Sequence, residues 1–171
     1  LDSKDVHSQK IGAVNCVTVG NKIKGTNTDW IGYLNSIKQE KIYKNKNILI
    51  LGFGGASQAI YYGFLLRGYK NVNIFNRSKK AIKIYGSNKY TKDYSLINSY
   101  LAESDLIINT TPINPLNKKQ RNLIKKTTIL SDIVYQPKET SFLKEFKFNK
   151  KIYGISMLIE QALPCFKQWF G

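Results

Sequence analysis

Short apolar runs alternating with amphipathic stretches organise this chain. The clearest run is Ile48-Leu49-Ile50-Leu51, apolar at four consecutive positions. Successive side chains of a strand point to opposite faces, so this run predicts a strand buried on both sides, as in a parallel sheet. A glycine turn at 52–55 follows, then a helix reaching about Arg67 and ended by Gly68. Val72–Phe75 reads as the next strand and 79–85 as a short helix. A weak strand is expected near 89–91, a helix over 94–101, and buried strands at Leu106-Ile107-Ile108 and 128–134. Ile152-Tyr153 reads as a last short strand, followed by a helix over about 155–170. Upstream, 13–26 alternates apolar and polar around Gly20-Asn21, the mark of a β-hairpin. Thr28 or Asn27 can cap a following helix with Trp30, Ile31, Leu34 and Ile37 on one face.

Strands alternating with helices imply an α/β fold, a doubly wound parallel sheet with right-handed crossovers. Residues 45–153 read as one complete domain of this kind. The hairpin within 1–40 cannot bury itself alone, so it is expected to be the remnant of a second domain together with a connecting helix. Residues 154–171 form a helix expected to return toward that second domain.

Composition narrows the function. A hydrophobic content of 42% fits a packed core rather than a disordered chain. No apolar run approaches the roughly 20 residues that span a bilayer, so no membrane partner is expected. No charged–apolar–small leader is present, and Cys16 and Cys165 read as reduced thiols, which points to the cytoplasm. The chain starts at Leu1 rather than Met, hinting at a native start upstream. The net charge of +16 comes almost wholly from scattered lysines, accompanied by Asn, Ile and Tyr as A/T-rich coding favours. Arginine, the residue that forks to phosphate and guanine, occurs only at Arg67, Arg77 and Arg121, so no nucleic-acid partner is expected. With His7 as the sole histidine and no paired cysteine spacing, neither a metal site nor serine–histidine–aspartate chemistry is expected. The oligomeric state is left open.

Chemistry concentrates after the first strand of the α/β unit. Gly52-Phe53-Gly54-Gly55-Ala56-Ser57 lies between a strand and a helix, where a dinucleotide fold makes its tight turn and lets backbone approach a pyrophosphate. Helix N-terminal amides then hold phosphate oxygens. The bland alternative is a structural turn. Ser57 stands where glycine or alanine is commoner. About 20 residues beyond such glycines, NAD enzymes carry an acid that bonds the free ribose hydroxyl. Asn76-Arg77-Ser78 stands there instead, with Lys79 and Lys80 beside it. Arginine pairs with a 2′-phosphate and favours NADP over NAD; a solvated basic turn is the other reading.

These residues carry a resemblance. Ile11–Asn15 with Gly25–Asp29 is similar to the paired IGAVNT and GxNTD signatures of shikimate dehydrogenases. Gly52–Ser57 resembles that family's GxGGAS turn, Asn76-Arg77-Ser78 its NRT/NRS cluster, and Asn109-Thr110-Thr111-Pro112 its NATP or NTTP segment. Asp132-Ile133-Val134-Tyr135 with Pro137 and Thr140 resembles D-x-VY-x-P-x-x-T. Residues 154–162 resemble GxxMLxxQA, with Phe166 and Trp169 continuing the helix pattern. The matches run in family order along essentially the whole chain.

The resemblance implies a Rossmann-like NADP domain and NADP-dependent interconversion of 3-dehydroshikimate and shikimate. Asp29 would orient the reacting hydroxyl and support proton transfer, although it could equally serve the helix dipole. Asn15, Asp29, Tyr135 and Gln161 would contact the substrate. Gly52, Gly54, Gly55 and Ala56 would hold the cofactor's phosphates, and Asn76, Arg77 and Ser78 its 2′-phosphate end. Thr110, Ile133, Gly154 and Met157 would complete the cofactor site, the last two near the nicotinamide. By spacing alone Met157 is a core residue.

Three departures qualify the match. The family's lysine lies in an NVTxPxK motif upstream of IGAVN, and the chain contains no such motif. Lys4 and Lys10 stand too close to Ile11 to replace it, so NADP binding with little shikimate oxidation is expected of these residues alone. Ala81 occupies a position that is often basic in the family, leaving Lys79, Lys80 or Lys83 to substitute. Asn114-Pro115 stands where Gly-Met is usual. An NADP-binding module without turnover, or a quinate-using relative, are the alternatives.

Overall fold

The computed structural model describes residues 1–84 and 89–171. Five strands form one all-parallel sheet: β4 (Ile48–Leu51), β5 (Val72–Phe75), β8 (Leu106–Asn109), β9 (Ile129–Asp132) and β10 (Lys151–Ile152). Their spatial order is β10-β9-β8-β4-β5. From β4 the chain moves outward to β5, then returns to place β8 on the other side of β4. This reversal opens a crevice between β4 and β8 at their carboxyl ends, where open α/β sheets bind ligands.

The apolar run of β4 is explained by two cores. Ile48 and Ile50 join Val72, Ile74, Leu106 and Ile108 on one face, under α3 (Gly55–Leu66) and α2 (Asp29–Ser36). Leu49 and Leu51 join Phe75, Ile107 and Leu130 on the other, with Ile97 and Leu101 of α4 (Ile97–Glu103) and Phe142 and Leu143 of α6 (Ser141–Lys144). Every residue of β4 is at most 1% exposed. Burying a side chain of this size contributes about 1.5–3 kcal/mol.

The amino-terminal residues form a separate small sheet. β2 (Cys16–Val19) and β3 (Ile23–Thr26) make the expected antiparallel hairpin, and β1 (Ser3–Lys4) adds a parallel strand on β3. Between them α1 (Val6–Ile11) is N-capped by Asp5, whose carboxylate accepts from the Ser8 amide at 2.8 Å. Rather than serving chemistry, His7 packs its ring 4.8 Å from Trp30 and its Nδ1 lies 2.8 Å from the Tyr62 hydroxyl. It pins α1 and α2 onto α3.

Helices α2 and α7 (Gly154–Phe170) cross at Gly32, where an added Cβ would stand 2.5 Å from Gln161 Cβ. No larger residue fits without moving α7. Glycine inside a helix is unfavourable, so its presence there is the mark of close packing.

One expected element is corrected. Residues 79–84 are not helical: β6 (Ala81–Ile82) pairs antiparallel with β7 (Lys89–Tyr90). Ile82 and Ile84 are buried while Ala81 and Lys83 are exposed, a period of two that a strand satisfies and a helix does not. Residue 85 of that expected helix lies outside the described residues. Thr91 fixes the pair, its Oγ1 accepting from the Lys80 amide at 2.9 Å. The weak strand near 89–91 therefore exists, and just beyond it a bridge between Phe75 and Lys92 joins the main sheet. The helix expected over 94–101 begins as a 3-10 turn at Tyr94–Leu96 before α4. The short α5 (Lys118–Arg121) and α6 were not legible as periodic segments. Among the described residues no helix is long and apolar enough to cross a membrane.

Candidate active site

The glycine turn closes on itself through side chains. Gly52 has φ +101°, a conformation open to glycine, and an added Cβ would lie 2.7 Å from Thr110 Oγ1. Thr110 Oγ1 donates to the Leu51 carbonyl at 2.7 Å, and Ser57 Oγ donates to the Gly52 carbonyl at 2.8 Å. Ser57 thus has a task that glycine or alanine could not perform. Gly54 is the N-cap of α3 and supplies no capping side chain, and an added Cβ there would meet open space. The first amides of α3 therefore have no side-chain acceptor at their cap, the condition under which a helix start can receive an anion.

Around this turn lies a cleft of about 690 Å³. Its lining includes Gly52, Gly54, Asn76, Arg77, Tyr94 and the loop from Thr110 to Pro115. Among the described residues Arg77 is its only basic lining residue, and none of Lys79, Lys80 and Lys83 joins it. Lys79 instead sits over the Tyr90 ring, 4.7 Å from its centroid. Ser78 closes the turn, its carbonyl accepting from Asn76 Nδ2 at 3.0 Å. Gly55 and Ser78 line neither this cleft nor the next; Gly55 faces Ala13. Tyr94, which sequence reasoning did not single out, forms the far wall, and burial pushes its hydroxyl up to about 12 against the opposing influence of Arg77. At the loop's end, Asn114 Oδ1 accepts from the Leu116 amide at 3.1 Å, so Asn114 and Pro115 shape the cleft in place of the usual Gly-Met.

A second cleft, of about 340 Å³, opens on the other side of Ala56. Asn15, Asp29, Ile133, Tyr135, Gly154, Met157, Leu158 and Gln161 line it. Four separate parts of the chain converge here: the segment before β2, the start of α2, the loop after β9 and the first turns of α7. Asn15 Nδ2 donates to Asp29 Oδ1 at 2.8 Å and to Gln161 Oε1 at 3.1 Å. Thr28 locks the amide's other end, its N–H donating to Asn15 Oδ1 at 2.8 Å. The helix start is held by Asn27, whose Oδ1 accepts from the Asp29 amide at 3.1 Å. Burial raises the Asp29 carboxyl above its ordinary range, and the hydrogen bond from Asn15 counters part of that rise.

Gly154 admits no side chain, because an added Cβ would overlap the Ile133 carbonyl oxygen. Met157 is 7% exposed, so it belongs both to the core and to the cleft wall. Tyr135 is half exposed at the rim. Behind the network, Cys165 Sγ lies 3.2 Å from Thr28 Oγ1, and burial with the neighbouring Cys165 pushes the Cys16 thiol up to about 11. These cysteines, distant in sequence, meet as buried free cysteines. Among the described residues no lysine lines this cleft.

The sequence model of the shikimate/quinate 5-dehydrogenase family matches residues 35–135. The NADP(+) shikimate dehydrogenase of Methanococcus maripaludis is 37% identical over all of this chain and 67% of its own length. The chain belongs to the shikimate dehydrogenase family. The crystal structure of the Aquifex aeolicus shikimate dehydrogenase superposes with a TM-score of 0.84 at 35% identity, over 100% of this chain and 66% of that one. A shikimate dehydrogenase of Thermus thermophilus, in complex with NADP(H) and shikimate, superposes with a TM-score of 0.81 at 28% identity, over 100% of this chain and 67% of that one. The chain thus spans about two thirds of the length of these family members.

The residues present fit a dinucleotide. An open glycine turn and a guanidinium line one cleft, a helix without a capping side chain starts at that turn, and Ala56 in its first turn lines the neighbouring cleft that holds Asn15, Asp29 and Gln161.

Proposed function

We propose that this chain carries the NADP(H)-dependent interconversion of 3-dehydroshikimate and shikimate, an oxidation or reduction at a ring CH–OH. The observation that carries this reading is the meeting of Asn15, Asp29, Tyr135 and Gln161 in one cleft beside the glycine turn. Gly52, Gly54, Gly55 and Ala56 would hold the pyrophosphate, and Asn76, Arg77 and Ser78 the 2′-phosphate end, with Thr110 flanking. Ile133, Gly154 and Met157 would wall the nicotinamide. The chemistry supplied by NADPH there is a hydride to the carbonyl carbon. Asp29, whose carboxyl holds its proton more tightly than a solvated one, exchanges the proton at the developing hydroxyl. Asn15 and Gln161 fix the ring by amide hydrogen bonds. On this reading residues 1–40 belong to a substrate domain, 45–153 to the NADP domain, and the helix 154–171 connects the two. A cytoplasmic location suits the buried, reduced cysteines.

Titrating the 171-residue polypeptide with NADP and with NAD tests the reading. NADP is expected to bind more tightly, and Arg77→Ala to cost NADP about 10- to 100-fold with NAD little changed, the worth of a charge-assisted pair. Equal loss for both cofactors would remove Arg77 from the 2′-phosphate. With no lysine lining the smaller cleft among the described residues, shikimate oxidation by this polypeptide is expected to be slow, since a general acid–base group contributes roughly 100- to 10,000-fold. Vigorous NADPH formation would overturn that expectation, and quinate offered in competition identifies the preferred ring.

A further inference from the structure

The two clefts are flanked by loops that leave neighbouring strands, and one carboxylate touches both. Asp132 ends β9, 1% exposed, at a position where an apolar strand buried on both faces has no ordinary use for a charge. Its Oδ1 accepts from the Val134 amide at 3.0 Å. Its Oδ2 accepts from Asn109 Nδ2 at 3.1 Å and from Thr140 Oγ1 at 2.6 Å. Three donors thus meet one carboxylate; burial raises its carboxyl above the ordinary range, and these three hydrogen bonds counter part of that rise.

Each partner leads somewhere useful. Asn109, itself 1% exposed, uses Oδ1 to accept from the Thr111 amide at 3.1 Å and the Thr111 hydroxyl at 2.8 Å. Its Nδ2 also reaches the carbonyls of Thr111 and Ile113, at 3.1 and 3.2 Å. Thr111 and Ile113 line the larger cleft. Val134 lies between Ile133 and Tyr135, which line the smaller one. Thr140 caps α6, its Oγ1 accepting from the Leu143 amide at 3.3 Å, and so anchors the carboxylate to a helix outside both clefts.

We propose that Asp132 is a positioning residue that ties the loop flanking the larger cleft to the loop flanking the smaller one, so that a ligand ordering the first also orders the second. Hydrogen-bonded chains through a buried group transmit such restraint because no water competes for the partners. The inference rests on the NADP reading of the larger cleft.

Adenosine 2′,5′-bisphosphate separates the two. It carries the 2′-phosphate and the adenosine-side 5′-phosphate of the cofactor but neither the second pyrophosphate phosphate nor the nicotinamide, so it fills only the larger cleft. Hydrogen exchange followed by NMR reads each amide. Binding of this probe is expected to slow exchange of the Val134 amide at least about threefold in the wild-type chain, since exchange reports local opening. Asp132→Asn, judged folded by circular dichroism, is expected to abolish that slowing while the probe still binds about tenfold more weakly, because one oxygen that accepts becomes an NH2 facing donors. The backbone bond from the Ile133 amide to the Asn109 carbonyl, at 3.1 Å in the wild-type chain, involves no Asp132 atom, so the difference between the two chains reads the carboxylate. Thr140→Val keeps the charge and removes one donor; it is expected to reduce the slowing partway and decides the matter should Asp132→Asn not fold. A wild-type chain that binds the probe without slowing Val134, or variants that slow it as wild type does, overturn the inference alone. A wild-type chain that does not bind the probe overturns the NADP reading and the inference with it.

Discussion

The larger and smaller clefts are built in opposite ways. The larger one rests on consecutive pieces of a single sheet: the turn after β4, the turn after β5 and the loop after β8. Each piece is short, and its chemistry is set by residues next to one another. The smaller one has no local piece of its own. Asn15 and Gln161 stand 146 positions apart yet share a hydrogen bond at 3.1 Å. A local site survives wherever its strands do, whereas a convergent one depends on how helices pack some distance away. Substitutions should therefore separate the two clefts.

Gly52→Ala is expected to have the largest effect, and on the larger cleft. The backbone at φ +101° disfavours any side chain, and the new methyl would meet Thr110 Oγ1 at 2.7 Å. Strain of about 1–3 kcal/mol adds to overpacking of similar size. Thermal denaturation should show a stability loss on the order of 2–4 kcal/mol, and calorimetry an NADP affinity reduced at least about tenfold. NADP binding at wild-type strength would mean that the turn does not need this conformation to receive phosphate.

Legibility followed the same division. The β4 run, the glycine turn and the place of Arg77 beside it could be read because strand alternation and a tight glycine turn are encoded within a few neighbouring residues. The hairpin at 13–26 was equally local. Misreading 79–84 as helix came from counting apolar residues where their alternation was the signal: Ile82 and Ile84 share a face only at a period of two. The short α5 and α6 escaped because four residues carry no periodicity. Convergence of Asn15, Asp29, Tyr135 and Gln161 was inferred only through family resemblance, since no spacing rule joins positions so far apart. Asp132 stood inside a matched motif without a task and Ser57 only as a small residue for helix–strand packing, and polar side chains at buried turns were the overlooked signal. A glycine at 32 inside an amphipathic stretch could have signalled close packing, but not its partner, because the backbone it meets belongs to α7.

Gly32→Ala is expected to act next in size, on the smaller cleft. Its methyl would press within 2.7 Å of Gln161 Cα and N, so α7 must shift where Gln161 meets Asn15. Overpacking of this kind costs about 1–3 kcal/mol. Adenosine 2′,5′-bisphosphate should bind as to wild type, while the NMR signals of the Asn15 and Gln161 side-chain amides move. A weakened probe with unmoved side-chain amides would mean that Gly32 acts on the larger cleft and not on the smaller one.

Asp29→Asn is expected to have the smallest effect, and of opposite sign. Burial raises the Asp29 carboxyl above its ordinary value of 3.8, so the folded chain binds that proton more tightly than the unfolded one. Below 3.8 both states are protonated and the contribution is fully present. As pH rises through the raised value the unfolded chain ionises first, and stability is lost. Asparagine escapes this loss because it never ionises, and its Oδ1 still accepts from Asn15. At neutral pH the variant should unfold at higher denaturant than wild type, and the gap should shrink toward the lowest pH the fold tolerates. The contrast with Gly52 is the point of the measurement. A residue that shapes a cleft stabilises the chain, whereas a carboxylate held half-buried in one weakens it. A variant less stable than wild type at neutral pH would mean that the charge of Asp29 supports the fold, and would leave it a helix-terminus residue rather than a group held ready for chemistry.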